Sequence, residues 1–251
     1  MQNNKVSNLK NAISTERLEN CKISLVDENG ISFDVLDEGH LYELYLYNEM
    51  LSKEIRYILS QFEILLRNNI NKAIIPSRGN NWIIDLKKQG FWDQKTVEQI
   101  EKAEHRLKEL KKTISHERIL AKLTLGFWLR LFNNPYFEPL IRDELKTIFP
   151  RNKQGLTGRT YGISDFREKL KFLHDIRNKV SHQEFILAPK YKIKTNYDEA
   201  ILLMKMMNEE YYSYFESEDH FKTIFEKFYE FVTKLKKEHK DVIQKIAGDN
   251  S

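Results

Sequence analysis

Residues 164–182 read SDFREKLKFLHDIRNKVSH. Apolar side chains recur in this stretch every three or four positions, at Phe166, Leu170, Leu173, Ile176 and Val180. That spacing places them on one face of an α-helix, so the stretch predicts a helix with one buried side. Ser164 is a favourable N-cap residue for this helix. Pro189 is a residue that would end it.

The same spacing continues on both sides of this stretch. A stripe of apolar residues from Leu41 to Ile70 follows a cap at Asp37, and we expect the helix that carries it to end before Pro76. Further helices are expected at 94–113 behind Asp93, at 115–132 behind Ser115, at 136–150, at 198–215 and at 218–246. The sequence therefore predicts an all-α fold of about seven or eight helices.

The composition supports this fold class and excludes several kinds of site. The 251 residues include only 9 glycines and 5 prolines, too few for the many turns of an all-β protein. The single cysteine, Cys21, rules out an internal disulfide and a cysteine-rich zinc site. No His or carboxylate spacing resembles a metal site, so we expect neither a metal nor a cofactor. Neither a signal peptide nor a membrane span is recognisable, so a cytoplasmic location is expected.

The chain divides by composition into three parts. Residues 1–36 are polar and are expected to be loosely ordered, residues 37–190 form the main domain, and residues 191–247 add C-terminal helices packed on the same domain. Residues 151–162 contain three glycines and several cations, which predicts a flexible basic loop. The net charge of +4 is mild and does not by itself predict nucleic-acid binding.

The chemistry-bearing stretch is Arg177-Asn178-Lys179-Val180-Ser181-His182. Arginine is a permanent cation with a planar fork suited to phosphate. Histidine can take and give a proton near neutral pH. Cleavage of RNA by its own 2′-hydroxyl needs a group that transfers protons and a positive charge on the phosphate. The stretch therefore predicts a metal-independent endoribonuclease. The alternative is a pair of ordinary polar residues near a helix C-terminus, where cations are favoured.

Two further segments, Phe62–Ile70 (FEILLRNNI) and Leu125–Phe132 (LGFWLRLF), precede the Arg-Asn…His element. In this order the three segments resemble the Abi-like (Abi_2) abortive-infection family of the HEPN superfamily, over about residues 40–190. The family often has a second histidine beside the first, whereas here the sequence is Ser181-His182-Gln183.

The resemblance implies a HEPN-type helical bundle that forms a homodimer through the motif helix, with two copies of Arg177 and His182 lining one cleft. It also implies an RNase toxin of phage defence, restrained by an antitoxin that is a structured RNA or a small protein. The spacing is compatible with such a cleft. Five helical residues leave two side chains about 140° apart, so a two-fold partner can supply the missing group.

Each residue then receives an expected role. His182 acts as general acid or base, Arg177 stabilises the pentacoordinate phosphate, and Asn178 orients the imidazole or donates to a phosphate oxygen. The candidates for RNA binding or for lining the cleft are Glu63, Arg67, Asn68, Lys179 and His174. Glu63 and Arg67 could instead form an ion pair within their helix, and His174 could be a solvated or packed histidine.

Two other functions remain open at this point. In the first, the chain is a non-catalytic RNA-binding module in which the same arginine and histidine grip phosphate. In the second, it is an antitoxin or scaffold whose motif helix forms a dimer seam. The aromatic residues Phe127, Trp128 and Phe132 are expected in the core rather than on a base-stacking surface.

Overall fold

The computed structural model describes residues 13–14, 16–18, 21, 36–152, 160–188, 191–214 and 216–248, with side chains described as far as residue 238. Every element with defined bounds in these ranges is helical, which confirms the all-α prediction. The α-helices are α1 (Glu38–Arg78), α2 (Trp82–Lys88), α3 (Gln94–Glu109), α4 (His116–Leu120), α5 (Leu125–Arg130), α6 (Leu145–Ile148), α7 (Ile163–Ser181), α8 (Ile193–Met207), α9 (Glu209–Ser213) and α10 (Phe221–Gly248). A π-helical turn (Phe137–Ile141) and a 3₁₀ turn (Glu216–Glu218) bring the described part to twelve helical elements.

The expected count of seven or eight helices was too low because three predicted helices are broken and the 3₁₀ turn Glu216–Glu218 is added. The segment 115–132 forms α4 and α5, separated by residues 121–124. The segment 136–150 forms the π-helical turn and α6. The segment 198–215 forms α8 and α9, which meet at Asn208, whose side-chain oxygen accepts bonds from the Glu210 and Tyr211 amides. Such short interruptions leave the apolar spacing intact, so periodicity does not reveal them.

Helix α1 has 41 residues and begins as expected, because the Asp37 carboxylate accepts a hydrogen bond from the His40 amide at 2.8 Å. Its whole predicted apolar stripe from Leu41 to Ile70 is buried. The helix does not end before Pro76 but includes it and stops at Arg78. Proline removes one donor only, and the chain turns at Gly79, which has φ +83° and donates its amide to Ile75.

Helix α3 confirms its predicted cap, since Asp93 accepts a bond from the Thr96 amide at 2.9 Å. It ends at Glu109 rather than at 113, because Lys111 adopts a positive φ of 51° and turns the chain. Arg130 of α5 also donates to the Asp93 carboxylate. Burial alone would raise the pKa of Asp93, but the bonds from Arg130 and Thr96 hold that pKa at about 2.

Helix α7 buries the predicted stripe of Phe166, Leu170, Leu173, Ile176 and Val180. Its predicted ends were wrong. The helix begins at Ile163, so Ser164 lies inside its first turn, and the Gly162 amide donates to the Asp165 carboxylate instead. It ends at Ser181, well before Pro189. Residues 153–159, most of the predicted basic loop, lie outside the described residues.

The chain separates into two compact units. Unit 1 contains residues 1–58, 175–198 and 216–251, and its described core includes the Tyr197 ring stacked on Phe221 at a centroid distance of 4.0 Å. Unit 2 contains residues 59–174 and 199–215. The predicted boundaries at 37–190 and 191–247 remain a prediction, and the loose order expected for residues 1–36 falls largely outside the described residues.

Unit 2 has an aromatic core. The centre of the Trp92 ring lies 5.9 Å from that of Phe127 and 5.1 Å from that of Tyr136. Phe127, Trp128 and Phe132 are 0%, 0% and 1% exposed, which confirms that these side chains belong to the core. In the described part of the chain, no helix combines the length and the apolar character needed to cross a membrane.

Candidate functional site

The C-terminal end of α7 is closed by two backbone hydrogen bonds. The Gln183 amide donates to the Val180 carbonyl at 3.3 Å, and the Glu184 amide donates to the Lys179 carbonyl at 2.9 Å. Gln183 has φ 55°, the left-handed conformation that this type of helix end requires. His182 is therefore the last residue before the chain turns, and its side chain is exposed.

Helix α1 fixes this turn within unit 1. The buried Asn48 side chain accepts a bond from the Ile186 amide at 2.8 Å and donates to the Glu184 carbonyl at 3.5 Å. Arg56 donates to the Val180 carbonyl at 3.1 Å. These bonds hold the backbone on both sides of His182, so the imidazole projects from a well-anchored turn.

Sequence reasoning missed Asn48 and Arg56. Asn48 is an amide within the apolar stripe of α1, between Leu44 and Leu51, and it is 3% exposed. A polar side chain at a buried helical position needs hydrogen-bond partners, and that requirement was the available signal.

Arg177 and Asn178 are half-buried neighbours. The Arg177 guanidinium donates to the Asn178 side-chain oxygen at 3.3 Å, and the His182 amide donates to the Asn178 carbonyl at 3.0 Å. Asn178 therefore contacts both predicted catalytic residues, one through its side chain and the other through its backbone.

Lys179 is engaged on the same helix end. Its ammonium lies 2.7 Å from the Glu184 carboxylate and 4.4 Å from the centre of the Tyr191 ring. The hydrogen bond from Lys179 to Glu184 raises the pKa of this lysine. The pair joins the two ends of the turn that carries His182, which gives Lys179 a structural task besides its predicted RNA contact.

His182 lies at a cleft of about 500 Å³ within unit 1. The lining includes Arg17, whose guanidinium donates to Gln183 at 2.7 Å, and two tyrosines, Tyr45 and Tyr191. Arg177 is absent from the described residues that line this cleft. Within one chain the cleft thus presents the predicted proton shuttle without the predicted phosphate-stabilising arginine.

The charges around this cleft are mixed. Three carboxylates, Glu16, Glu49 and Glu184, line it together with Arg17 and His182. Cys21 also lines it, and burial together with the charge of Glu49 raises the pKa of its thiol to about 12. The thiol therefore stays protonated near neutral pH and is not a nucleophile.

The remaining predicted residues belong to unit 2. Arg67 donates to the exposed Asn68 at 3.4 Å, and Glu63 lies on the same helix and is partly exposed. His174 lies beside Gly126, where an added Cβ would be 3.3 Å from its Nε2. Among the described residues, no three His, Cys, Asp or Glu side chains lie together so that they could hold a metal ion.

Comparison with protein-family models, with curated proteins and with solved structures finds no match for this chain.

Proposed function

We propose that this chain is a metal-independent endoribonuclease with His182 and Arg177 as its catalytic residues. The observation that carries the proposal is the exposed His182 imidazole, held on an anchored helix end beside a cleft of about 500 Å³. A general acid or base must be both accessible to substrate and fixed in position. His182 is exposed, and the backbone on both sides of it is anchored.

The reaction follows from the residues. One imidazole removes the proton of a 2′-hydroxyl, and the freed oxygen attacks the adjacent phosphorus. Arg177 stabilises the negative charge of the pentacoordinate phosphate. The same imidazole, now protonated, donates to the departing 5′-oxygen, so the products are a 2′,3′-cyclic phosphate and a 5′-hydroxyl. Asn178 positions the Arg177 guanidinium, to which its side chain is bonded.

The site is proposed to be shared by two chains. Arg177 and His182 point about 140° apart on an ideal helix, and the cleft at His182 is lined without Arg177. A homodimer through α7 would bring Arg177 of one chain to His182 of the other. Phe172, a large apolar residue on α7 that is 47% exposed, is available for such an interface.

The biological role is proposed from the resemblance of three sequence segments to the Abi-like HEPN family. In that role the chain is a cytoplasmic toxin that arrests growth in phage defence. A structured RNA or a small protein would act as antitoxin, because an unrestrained RNase would damage its own cell.

The test is RNA cleavage in EDTA by the purified chain and by its His182→Ala variant, with end-group analysis of the fragments. His105→Ala is the matched control, since His105 is also exposed but belongs to α3. We expect the wild type and the control to produce 2′,3′-cyclic phosphates, and His182→Ala to be at least 100-fold slower, as for the loss of a general acid or base. Equal cleavage by all three proteins, or none by any, would overturn the proposal.

A non-catalytic RNA-binding protein is the second candidate. The three carboxylates at the His182 cleft favour it, because they would repel a phosphodiester placed beside the imidazole, and RNA would then bind away from His182. Under this function, the wild type and His182→Ala would bind RNA with equal affinity and neither would cut it.

A further inference from the structure

A second groove, of about 510 Å³, lies within unit 2. Helix α5, the residues that follow it and the middle of α7 form its walls. Its size is that of a small-molecule pocket, large enough for one nucleotide and too small for a duplex.

Two cations and a histidine on one face of α7 line this groove. Arg167, Lys171 and His174 are spaced at i, i+4 and i+7, and all three belong to its lining. Lys171 is exposed and forms no ion pair with any residue that the structure describes. Its ammonium is therefore available to an anion.

Arg167 is held in position without a carboxylate partner among the described residues. Its Nε donates to the Phe132 carbonyl at 2.7 Å, and its guanidinium lies 5.1 Å from the centre of the Phe137 ring. A peptide carbonyl and an aromatic face orient the guanidinium but do not neutralise its charge. The remaining guanidinium nitrogens can donate to a phosphate.

The groove has two other charged side chains in its described lining, Arg130 and Glu168. Arg130, on the opposite wall, is paired with Asp93, and Glu168 is the one carboxylate among the described lining residues. Arg167 and Lys171 therefore outnumber Glu168 by two charges to one.

The remaining lining suits a nucleotide. Asn133 and Asn134 are exposed at the groove, and amides can pair with the edge of a base. The Asn133 nitrogen donates to the Leu129 carbonyl at 3.2 Å, which leaves its oxygen and the whole Asn134 amide for a ligand. Gly126 leaves space for His174, because a Cβ there would lie 3.3 Å from the imidazole Nε2. An imidazole can stack on an unpaired base or donate to a phosphate.

We propose that this groove binds one nucleotide of a single-stranded RNA, with Lys171 and Arg167 on its phosphodiester. The identity of the ligand rests on the proposed function, which makes RNA the substrate. The site itself is separate from the His182 cleft and is equally useful to a chain that binds RNA without cutting it.

The experiment measures binding of a labelled oligouridylate to the full-length His182→Ala chain, which keeps the probe intact. Lys171→Glu is added to that chain, with Lys102→Glu as the matched control, because Lys102 is exposed on α3 outside the groove. We expect Lys171→Glu to weaken binding about tenfold and to lower its salt dependence, and Lys102→Glu to change it less than about twofold. Equal effects of the two variants would overturn the proposal.

Crosslinking with 4-thiouridine RNA gives an independent readout that does not depend on a substitution. Crosslinks in residues 126–134 or 167–174 support the groove, and crosslinks confined to other segments overturn it. Uridine monophosphate is added as a competitor. If uridine monophosphate displaces the oligouridylate when both are at the same concentration, the groove is a site for free nucleotides. That result would also overturn the proposal.

The two proposals fail in different ways. Binding through the groove without cleavage in EDTA by the wild-type chain contradicts the nuclease only. Cleavage by the wild type, with Lys171→Glu binding as well as Lys102→Glu, contradicts the groove only.

Discussion

His116 is a buried histidine of unit 2 whose imidazole Nε2 lies 3.0 Å from the Asn71 side-chain oxygen. The same oxygen accepts a bond from the Trp82 indole at 2.8 Å. An amide oxygen can only accept, so Nε2 carries the proton of the neutral imidazole. Its other nitrogen, Nδ1, is buried without a described partner. Burial lowers the pKa of His116, although the charges of Glu117 and Asp85 act in the opposite direction.

This environment predicts a loss of stability in mild acid. The pKa of His116 in the folded chain is below the unfolded value of 6.5, so below that pH the unfolded chain binds more protons. Folding stability contributed by the neutral imidazole is therefore complete above pH 6.5 and falls as the pH drops below it. Urea unfolding at a series of pH values from 7.5 to about 5 measures this decline.

The control for His116 is His116→Gln, whose amide nitrogen can still donate to Asn71. We expect the fall in unfolding free energy between pH 7 and 5.5 to be smaller in His116→Gln than in the wild type. His105→Gln should leave the decline unchanged, since His105 is exposed. An identical pH dependence in the wild type and His116→Gln would contradict the assignment.

At the scale of single residues, the sequence indicated which residues are candidates for the site but not which residues surround them. Arg177 and His182 could be selected because both lie on one predicted helix. The neighbours of His182 could not, because Arg17, Glu16 and Glu49 come from segments more than 130 positions away. Periodicity describes one element at a time and carries no information on such contacts.

At the scale of helices, buried faces were predictable and ends were not. The stripes of α1 and α7 follow from a spacing that burial enforces directly. The ends of α3 and α7 depend on Lys111 and Gln183, which take the left-handed conformation without being glycine. At the end of α7, Asn48 holds the backbone just after Gln183 through the Glu184 carbonyl and the Ile186 amide. A sequence signal based on glycine misses both ends.

The attachment of α7 to α1 gives the prediction at this scale. Asn48→Ala removes the acceptor of the Ile186 amide, which is buried, and the donor to Glu184. We expect a loss of about 2 kcal/mol in unfolding free energy, the usual cost of leaving a buried polar group without its partner. The melting temperature should fall by roughly 4–8 °C.

Thermal unfolding of Asn48→Ala is compared with that of Asn80→Ala, whose side chain is exposed in the turn between α1 and α2. The control should change the melting temperature by less than about 1–2 °C. Equal melting temperatures of the two variants would show that Asn48 does not anchor the turn at His182.

At the scale of the whole molecule, each unit is assembled from distant segments. Unit 1 joins residues 1–58 to 175–198 and 216–251, and unit 2 joins 59–174 to 199–215. Composition and turn signals act between neighbouring residues, so they can only suggest contiguous segments, and the boundaries at 37–190 and 191–247 stay a prediction. Helices pack together where their surfaces are complementary. A single sequence does not show which surfaces meet.

The proposed composite site leads to one decisive measurement, which is RNA cleavage in EDTA by a mixture of two variants, Arg177→Ala and His182→Ala. Each variant alone lacks a catalytic residue at every site and should be inactive. In a mixed dimer, Arg177 of one chain meets His182 of the other at one of the two sites. Random pairing of equal amounts of the two variants makes half of the dimers mixed, so the mixture should recover about a quarter of wild-type activity.

Copurification of differently tagged chains confirms that mixed dimers form, and end-group analysis identifies the fragments. We expect recovery of about a quarter of the activity, with 2′,3′-cyclic phosphate ends. Mixed dimers that remain as inactive as the separate variants would contradict a shared Arg177–His182 site.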